Sequence, residues 1–377
     1  MQAGAEHHDS ESLGRQLREP DEIDQVDRSL LLDLLDGVKS VDSMAAVRRA
    51  VADIRERLLA GKTGLPASTG DAVAFGREYL LSELDQIVAS RTLERARYYL
   101  ERLEISITQV KTSEVNDINL NRWKEYPDIF TDSLWIVDRR DNSGVHTAGY
   151  WGNFIPQIPN QMIRRYTKGG EWVLDTFAGA GTTLIEGQRL GRHTIGIELQ
   201  AALAEQARRL VASEPNEHRV VAQITTADSA AVDYRALLAG HHQRSVQLII
   251  MHPPYFDIIR FSDDPGDLSN AASVDDYMVR LGLIVEKAGA VLDEGRYLVL
   301  VIGDKYARGE WIPLGFLAMN EVLARGFSLK SIVVKNFEDT ASKRAQKELW
   351  RYRALAGGFY VFKHEYIFLF QKGPAGA

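Results

Sequence analysis

The residues best placed to do chemistry begin with a glycine-rich turn, Asp175–Thr183 (DTFAGAGTT), which follows a short apolar stretch and opens a helical pattern. Gly179 and Gly181 allow a tight turn and let a ligand approach the backbone closely. Glu198 ends the next apolar stretch, where a carboxylate can accept hydrogen bonds from both hydroxyls of a ribose. The pattern predicts a site for an adenosine-type cofactor. A nicotinamide dinucleotide is disfavoured, because its fingerprint needs a glycine where Leu184 stands.

The next two predicted strand ends carry further polar signals. Asp228 and Ser229 follow the third strand, where a polar side chain can accept the exocyclic amine of an adenine ring. The fourth strand runs into His252–Tyr255 (HPPY). Two consecutive prolines cannot continue a sheet ladder, so they fix carbonyl oxygens toward the crevice. Acceptors beside the aromatic face of Tyr255 suit a planar amine.

Elements of alternating type must position these residues. From residue 172 onward, short apolar strands alternate with helical patterns, which predicts βαβ units and an α/β, Rossmann-like sheet that is mostly parallel. The last strand, at 359–371, follows the strand at 327–335 without a helical pattern between them. It is therefore predicted to be antiparallel, at or near the sheet edge.

The chain is predicted to have four parts. Residues 1–25 are a mobile acidic tail, and residues 26–110 are an N-terminal helical module without strand signals or an internal repeat, for recognition or partner binding. Residues 111–160 connect this module to the sheet domain at 161–377.

Composition excludes several classes of protein. The 377 residues contain no cysteine, which rules out disulfides, cysteine zinc sites, iron–sulfur clusters and a cysteine nucleophile. No apolar run is long enough for a membrane span, and the acidic N-terminus does not read as a signal peptide, so a cytoplasmic location is expected. The net charge is −7, yet residues 330–353 hold seven Lys and Arg against three acids. That local excess suits either a nucleic-acid face or a solvated basic helix face, and composition alone favours the solvated face.

The motifs DTFAGAGTT, TIGIE, TTADS and HPPY together resemble the S-adenosylmethionine-dependent DNA methyltransferases that act on the N6 amine of adenine or the N4 amine of cytosine. In that family the glycine turn holds the methionine part, an acid binds the ribose, and a motif ending in Pro-Pro-Tyr holds the target amine. The resemblance extends over about residues 145–371. It includes a cofactor-lid segment at Tyr150–Arg165, just upstream of the glycine turn.

The resemblance implies the following site residues. The catalytic set is His252, Pro253, Pro254 and Tyr255. The cofactor-binding set is Phe154, Ile155, Pro156, Asp175, Thr176, Phe177, Gly179, Gly181, Thr182, Glu198, Leu199, Asp228 and Ser229. A candidate nucleic-acid-binding set comes instead from the charge and aromatic residues of the loop segment Asn336–Gly358, and it consists of Lys343, Arg344, Lys347, Trp350, Arg351 and Tyr352.

The implied reaction is direct transfer of a methyl group from S-adenosylmethionine to the exocyclic amine of adenine or cytosine in a base flipped out of DNA, without a metal or a covalent enzyme intermediate. The family has Asp, Asn or Ser where this chain has His252. A neutral histidine can also accept a hydrogen bond through its unprotonated ring nitrogen. This departure leaves the choice between adenine and cytosine open.

Recognition of the DNA sequence is predicted to lie outside the sheet. The gap between Glu198 and His252 is too short for a target-recognition domain. Recognition must come from the N-terminal helices, from loops or from another subunit, and a homodimer is possible. The enzyme is expected in a bacterial or archaeal cytoplasm, associated with the nucleoid through DNA. Two alternatives stay open: methylation of RNA or of a protein amide, and a catalytically weak, cofactor-binding subunit that binds nucleic acid in a larger complex.

Overall fold

The computed structural model describes residues 22–60, 71–147, 149, 152–337 and 347–374. The chain divides into two compact units: a smaller one at residues 17–114 and 118–129, and a larger one that includes residues 115–117 and everything from residue 130 onward. The predicted acidic tail falls outside the described residues up to residue 21. No helix in the described part of the chain has both the length and the apolar character needed to cross a membrane.

The smaller unit is built from two copies of a strand–helix–helix motif. The first copy comprises β1 (Ile23–Asp27), α1 (Arg28–Lys39) and α2 (Met44–Leu59); the second comprises β2 (Ala72–Gly76), α3 (Arg77–Val88) and α4 (Leu93–Thr108). Corresponding elements have equal lengths and start 49 residues apart, as Ile23 and Ala72 show. A short 3₁₀ helix, Leu120–Glu125, follows.

The two copies also bury equivalent positions. Helix α1 buries Leu31, Leu35 and Val38, and α3 buries Leu80, Leu84 and Ile87 at the same offsets. Strands β1 and β2 pair antiparallel, and their register is symmetric about the pair Gln25–Ala74. The smaller unit is therefore an internal repeat with approximate twofold symmetry.

Two predictions for this unit are wrong: that it lacks strands and that it contains no repeat. Each strand has only five residues, too few for a clear alternation of apolar and polar side chains. The repeat lies mainly in the spacing of buried positions, although some of these positions, such as Leu31 and Leu80, also hold the same residue. The side chains of Ser43 and Thr92 accept hydrogen bonds from the first turns of α2 and α4 and so cap these two helices.

The larger unit alternates strands and helices. Its elements are β3 (Leu134–Trp135), α5 (Gln157–Tyr166), β4 (Trp172–Asp175), α6 (Thr182–Arg189), β5 (His193–Glu198), α7 (Ala201–Ser213), β6 (Ala222–Thr226), α8 (Tyr234–Ala239), β7 (Val246–Met251), α9 (Val274–Gly289), β8 (Leu292–Ile302), β9 (Lys305–Ala307), β10 (Glu310–Ile312), α10 (Leu314–Leu323), β11 (Phe327–Asn336), α11 (Lys347–Gly357) and β12 (His364–Lys372). Helices α8 and α11 and the β9–β10 hairpin were not predicted, and α11 contradicts the prediction that no helix separates the last two strands.

The predicted α/β sheet is confirmed. Eight strands lie in the order β3-β11-β12-β8-β7-β4-β5-β6, and β8, β7, β4, β5 and β6 run parallel to one another. Strand β12 is antiparallel to both of its neighbours, as predicted. It is not an edge strand, because β11 and β3 continue the sheet beyond it.

The topology creates the crevice that the site needs. From β4 the chain builds β5 and β6 on one side and then returns to place β7 on the other side of β4. Ligands of open α/β sheets bind outside the carboxyl ends of the strands at such a switch point. Here the segments that leave β4 and β7 are the glycine turn and His252–Tyr255.

Candidate active site

A cavity of about 1100 Å³ opens at the carboxyl ends of the central strands of the larger unit. It brings together residues from all three predicted sets: Phe154, Ile155, Thr176, Phe177, Gly179, Glu198, Leu199, Asp228, Ser229, His252, Pro253, Pro254, Tyr255 and Trp350. Single-ligand pockets occupy roughly 300–1,000 Å³. This cavity therefore has room for a cofactor and a second planar group side by side.

The glycine turn and Glu198 form one cradle. Gly179 and Gly181 have φ of 52° and 83°, a left-handed conformation that favours glycine. The Glu198 carboxylate folds back onto the turn: Oε2 accepts a hydrogen bond from the Gly179 amide at 3.0 Å, and Oε1 accepts one from Gln200 at 2.9 Å. These two hydrogen bonds fix the orientation of both carboxylate oxygens, and each oxygen keeps a second lone pair.

Burial makes Glu198 unusually easy to protonate. Desolvation raises the pKa of its carboxyl to about 7, and the nearby carboxylates of Asp175 and Asp267 also raise it. The hydrogen bonds that this carboxylate accepts from the amides of Gln200 and Gly179 lower the pKa but do not cancel the rise. A ligand that donates hydrogen bonds to the carboxylate would favour the ionised form.

A glycine in β5 takes over the packing role of the missing third glycine. Leu184 occupies that position in α6, and its side chain lies against Gly196: a Cβ added to Gly196 would sit 2.8 Å from Leu184 Cδ1 and 2.8 Å from the Ala178 Cβ. The helix therefore packs closely on the sheet because the strand, rather than the helix, carries the small residue.

Four residues of the predicted cofactor set do not line the cavity: Pro156, Asp175, Gly181 and Thr182. Asp175 is buried, its Oδ1 accepts from the Phe177 amide at 2.9 Å, and burial raises the pKa of its carboxyl to about 6. Thr182 is also buried and donates to Asn153 Oδ1 at 2.8 Å. These side chains shape the glycine turn and its surroundings.

The predicted lid segment, Tyr150–Arg165, contacts α6 through Asn160, whose Nδ2 donates to Glu186 Oε2 at 2.8 Å. Just upstream of the segment, His146 Nε2 lies 2.7 Å from Glu186 Oε1, and both side chains are almost fully buried. Arg140 donates to the carbonyl oxygens of Phe154 and Thr147 at 2.9 and 3.1 Å. These contacts present Phe154 to the cavity. Residues 148, 150 and 151 of this region lie outside the described part of the chain.

The Pro-Pro-Tyr segment is rigidly held. The carbonyl oxygen of Pro254 accepts from the Tyr277 hydroxyl at 2.7 Å and from the Phe256 amide at 2.9 Å. Both of its lone pairs are therefore in use. Gly303 borders the Tyr255 ring so closely that an added Cβ would meet Cε2 at 2.9 Å.

His252 belongs to a hydrogen-bonded chain that the sequence analysis missed. Its Nε2 lies 3.1 Å from the Tyr255 hydroxyl, which donates to Glu365 Oε2 at 2.8 Å. Glu365 Oε1 in turn pairs with Lys335 Nζ at 2.9 Å. The available sequence signal was the one carboxylate of strand β12, next to a run of five apolar residues. The structure pairs it with Lys335 in the register of β11. Desolvation lowers the pKa of His252 to about 4, and Lys335 contributes in the same direction, against Glu365.

The predicted nucleic-acid residues divide between described and undescribed parts. Trp350, on α11, lines the cavity, while Arg351 and Tyr352 are exposed. Lys343, Arg344 and the side chain of Lys347 lie outside what the structure describes. Lys335, which the charge count placed in the basic segment, is buried in its ion pair.

Among the described residues, no three His, Asp or Glu side chains group so as to hold a metal ion.

Comparison with known proteins agrees with this arrangement. Residues 78–209 match the N6/N4 methyltransferase family, described as a DNA methylase. The match begins in the smaller unit, earlier than the predicted start near residue 145, and ends before His252. It therefore includes the glycine turn and Glu198 but not the Pro-Pro-Tyr segment.

Curated relatives point to the same family. The chain is 33% identical over 79 residues to the Type II methyltransferase M.MthZI of Methanothermobacter thermautotrophicus, covering 21% of each chain. It is 32% identical over 100 residues to the Type II methyltransferase M2.DpnII of Streptococcus pneumoniae, covering 25% of this chain and 34% of that one. The matched part of the chain thus spans only about a fifth to a third of the length of these relatives. Among solved structures, TrmN from Thermus thermophilus aligns with 16% identity and a TM-score of 0.37, over 58% of this chain and 49% of that one.

These matches confirm the predicted resemblance to the N6/N4 DNA methyltransferases, and the family model places it at residues 78–209. The family supports S-adenosylmethionine as the cofactor. The residues present fit that molecule, because a left-handed glycine turn and a buried carboxylate with both oxygens aimed lie in one cavity with further acidic side chains, Asp228 and Asp267.

Proposed function

We propose that this chain transfers a methyl group from S-adenosylmethionine to the exocyclic amine of adenine (N6) or cytosine (N4) in DNA. The observation that carries the proposal is the shared cavity: the cradle formed by Gly179 and Glu198 and the amine-binding segment His252–Tyr255 line the same space. A family region alone would support cofactor binding. The second group of acceptors beside it supports an amine as the recipient.

The chain's residues divide the work of binding the cofactor. Glu198 accepts the ribose hydroxyls, the Gly179 turn lets the methionine part approach the backbone, and Asp228 accepts the adenine amine. Phe154, presented by the lid segment, supplies an apolar wall. When bound, S-adenosylmethionine supplies an activated methyl group on a positively charged sulfur. The acidic side chains that line the cavity favour that positive charge.

A second set of residues orients the target amine. The amine of a nucleobase is a weak nucleophile because its lone pair is delocalised into the ring. Acceptors at the ring nitrogen of His252 and at the Pro253 carbonyl favour a tetrahedral nitrogen with its lone pair free to react. The Pro254 carbonyl is excluded from this role, since two protein donors already occupy it. Tyr255 receives the face of a base that has left its stack.

DNA contacts are assigned to α11, where Trp350 reaches the cavity and Arg351 and Tyr352 are exposed. Exposed aromatic and basic side chains at a cavity suit stacking on bases and contact with phosphates. The smaller unit, with its repeated strand–helix–helix motif, is the candidate for sequence recognition or for binding a second subunit.

The direct test is nucleoside mass spectrometry. The purified chain is incubated with S-adenosylmethionine and unmethylated genomic DNA, which is then digested to nucleosides. The expected result is a rise in N6-methyladenine or N4-methylcytosine, which also identifies the base. His252→Ala serves as the matched control and should lose most of the activity.

Two outcomes would replace the proposal. Methylation of RNA but not of DNA, in a parallel reaction, would make RNA the substrate. A chain that binds S-adenosylmethionine by calorimetry and methylates neither nucleic acid would be a cofactor-binding subunit whose activity requires a partner. The presence of His252 in place of Asp, Asn or Ser motivates this second outcome.

A further inference from the structure

The chain Lys335–Glu365–Tyr255–His252 has a definite direction of hydrogen bonding. A carboxylate only accepts, and Glu365 takes the single hydrogen of the Tyr255 hydroxyl at 2.8 Å. The hydroxyl oxygen then has only lone pairs left to offer to His252 Nε2, 3.1 Å away. The ring nitrogen at that contact must therefore be the one that carries a hydrogen.

The proton on Nε2 decides what the rest of the ring can do. A neutral imidazole carries one N–H and one bare nitrogen, so Nδ1 keeps its lone pair. Nδ1 is bonded to Cγ, as is the side-chain oxygen of Asn or Asp. The bare nitrogen is thus the same number of bonds from the backbone as the acceptor oxygen found at this position in the family.

We propose that Glu365 and Lys335 are positioning residues that fix the proton of His252 on Nε2 and so leave Nδ1 as the acceptor for the target amine. The inference rests on the proposed function for the identity of the amine. It explains how a histidine can stand where the family has Asp, Asn or Ser. An amide or carboxylate oxygen is always an acceptor, whereas the imidazole needs residues of the sheet to fix which of its nitrogens accepts.

The location of the charged pair supports a role in the site. Lys335 and Glu365 are cross-strand neighbours in β11 and β12, are 5% and 4% exposed, and both line the cavity. Removing two charges from water costs free energy that their attraction only partly returns. Desolvation also keeps His252 neutral. The hydrogen-bond relay from Lys335 through Glu365 and Tyr255 to His252 requires this neutral ring.

Glu365→Gln tests the relay because glutamine has nearly the shape of glutamate but should reverse the direction of the hydrogen bonds along the relay. The Lys335 ammonium requires an acceptor, so the new amide oxygen faces Lys335 and its NH₂ faces Tyr255. The Tyr255 hydroxyl then accepts from the amide and donates to Nε2. The proton of His252 moves to Nδ1, and the acceptor for the amine is lost.

The first measurement is the tautomer of His252 in the full chain, without cofactor or DNA, by ¹⁵N NMR of labelled histidine. Protonated and bare ring nitrogens resonate far apart, and the His252→Asn spectrum identifies the signal among the nine histidines. We expect Nε2–H in the wild type and Nδ1–H in Glu365→Gln. A wild-type Nδ1–H tautomer, or an unchanged tautomer in the variant, overturns the proposal.

The second measurement separates positioning from stability. Glu365→Gln should lower kcat on the order of 10- to 100-fold through the lost hydrogen bond, with the KM for the cofactor unchanged. In the His252→Asn background the same substitution should change kcat by no more than about twofold, because the amide oxygen needs no relay. An equal loss in both backgrounds would make the pair merely structural and refute the relay.

The controls keep this test separate from that of the proposed function. Glu321→Gln removes a carboxylate of α10 that pairs with Arg325 and does not line the cavity, and it should change neither the tautomer nor kcat. If the wild type methylates no nucleic acid, the proposed function fails, while the tautomers of wild type and Glu365→Gln still decide the relay.

Discussion

At the scale of single residues, the site is governed by where protons sit. Burial raises the pKa of Glu198 and lowers the pKa of His252. Both shifts favour the neutral form of the side chain. In its proposed role His252 accepts a hydrogen bond, so the neutral ring suits it. The proposed role of Glu198 is to accept from two ribose hydroxyls, which protonation hinders, so the two residues predict different pH dependences.

Cofactor binding should strengthen as pH rises through 7. The pKa of Glu198 is raised to about 7, so below that pH binding must first remove a proton. The affinity for S-adenosylmethionine should fall as pH drops from 8 to 6, with a slope approaching about tenfold per unit. Calorimetry in buffers of different ionisation enthalpy should show proton release at pH 6. Glu198→Gln is the control, and a pH slope that persists in this variant would contradict the assignment.

Turnover should resist mild acid. The groups facing His252 are Tyr255, Glu365 and Lys335, and its pKa is lowered from 6.5 to about 4. Because the neutral ring is the active form, kcat at saturating cofactor should fall only as pH approaches about 4. His252→Asn should lose that acid limb, since an amide does not titrate there. An acid limb centred near the ordinary histidine pKa, 6.5, would show that burial does not control this residue.

At the scale of elements, close packing between α6 and β5 depends on one glycine. Gly196 has no room for a methyl group, because Leu184 and Ala178 lie 2.8 Å from where its Cβ would be. The glycine turn that precedes α6 depends on this contact for its position.

Gly196→Ala should destabilise the larger unit by about 1–3 kcal/mol, the usual cost of overpacking a core. It should also weaken cofactor binding, because the displaced helix carries the glycine turn with it. Denaturant unfolding and cofactor titration measure the two effects. Gly169→Ala is the matched control, since its Cβ would meet only Asp117 at an ordinary 3.7 Å. Equal stability of the two variants would contradict the packing argument.

At the scale of the whole molecule, the chain combines a net charge of −7 with a local excess of basic residues. Nucleic-acid binding depends on local rather than average charge. Of the described basic residues in that excess, Lys335 is used internally, whereas Arg351 and Arg353 are exposed on α11.

Arg351→Ala should therefore weaken DNA binding by a similar factor for all DNA sequences. It should also reduce the slope of log K against log[salt] by about one, the amount expected for one lost phosphate contact. Cofactor affinity should stay unchanged. Fluorescence anisotropy at several salt concentrations measures both quantities. Arg235→Ala, an exposed arginine on α8 outside the cavity lining, should leave binding as it is. If the two variants behave alike, α11 is not the DNA-binding element.

The sequence by itself determined the features that follow from local chemistry. The glycines of the turn, the Pro-Pro pair and the alternation of strands and helices lie in consecutive residues, so the α/β sheet and the residues that line the cavity at the strand ends could be predicted from them. The register of β12 with β11 and the pairing of β1 with β2 depend on residues far apart in the chain. Only the tertiary structure brought Glu365 beside Tyr255 and revealed the repeat in the smaller unit. A hydrogen-bond relay is a property of side chains that meet across strands, and a single sequence holds no local signal for which strands become neighbours.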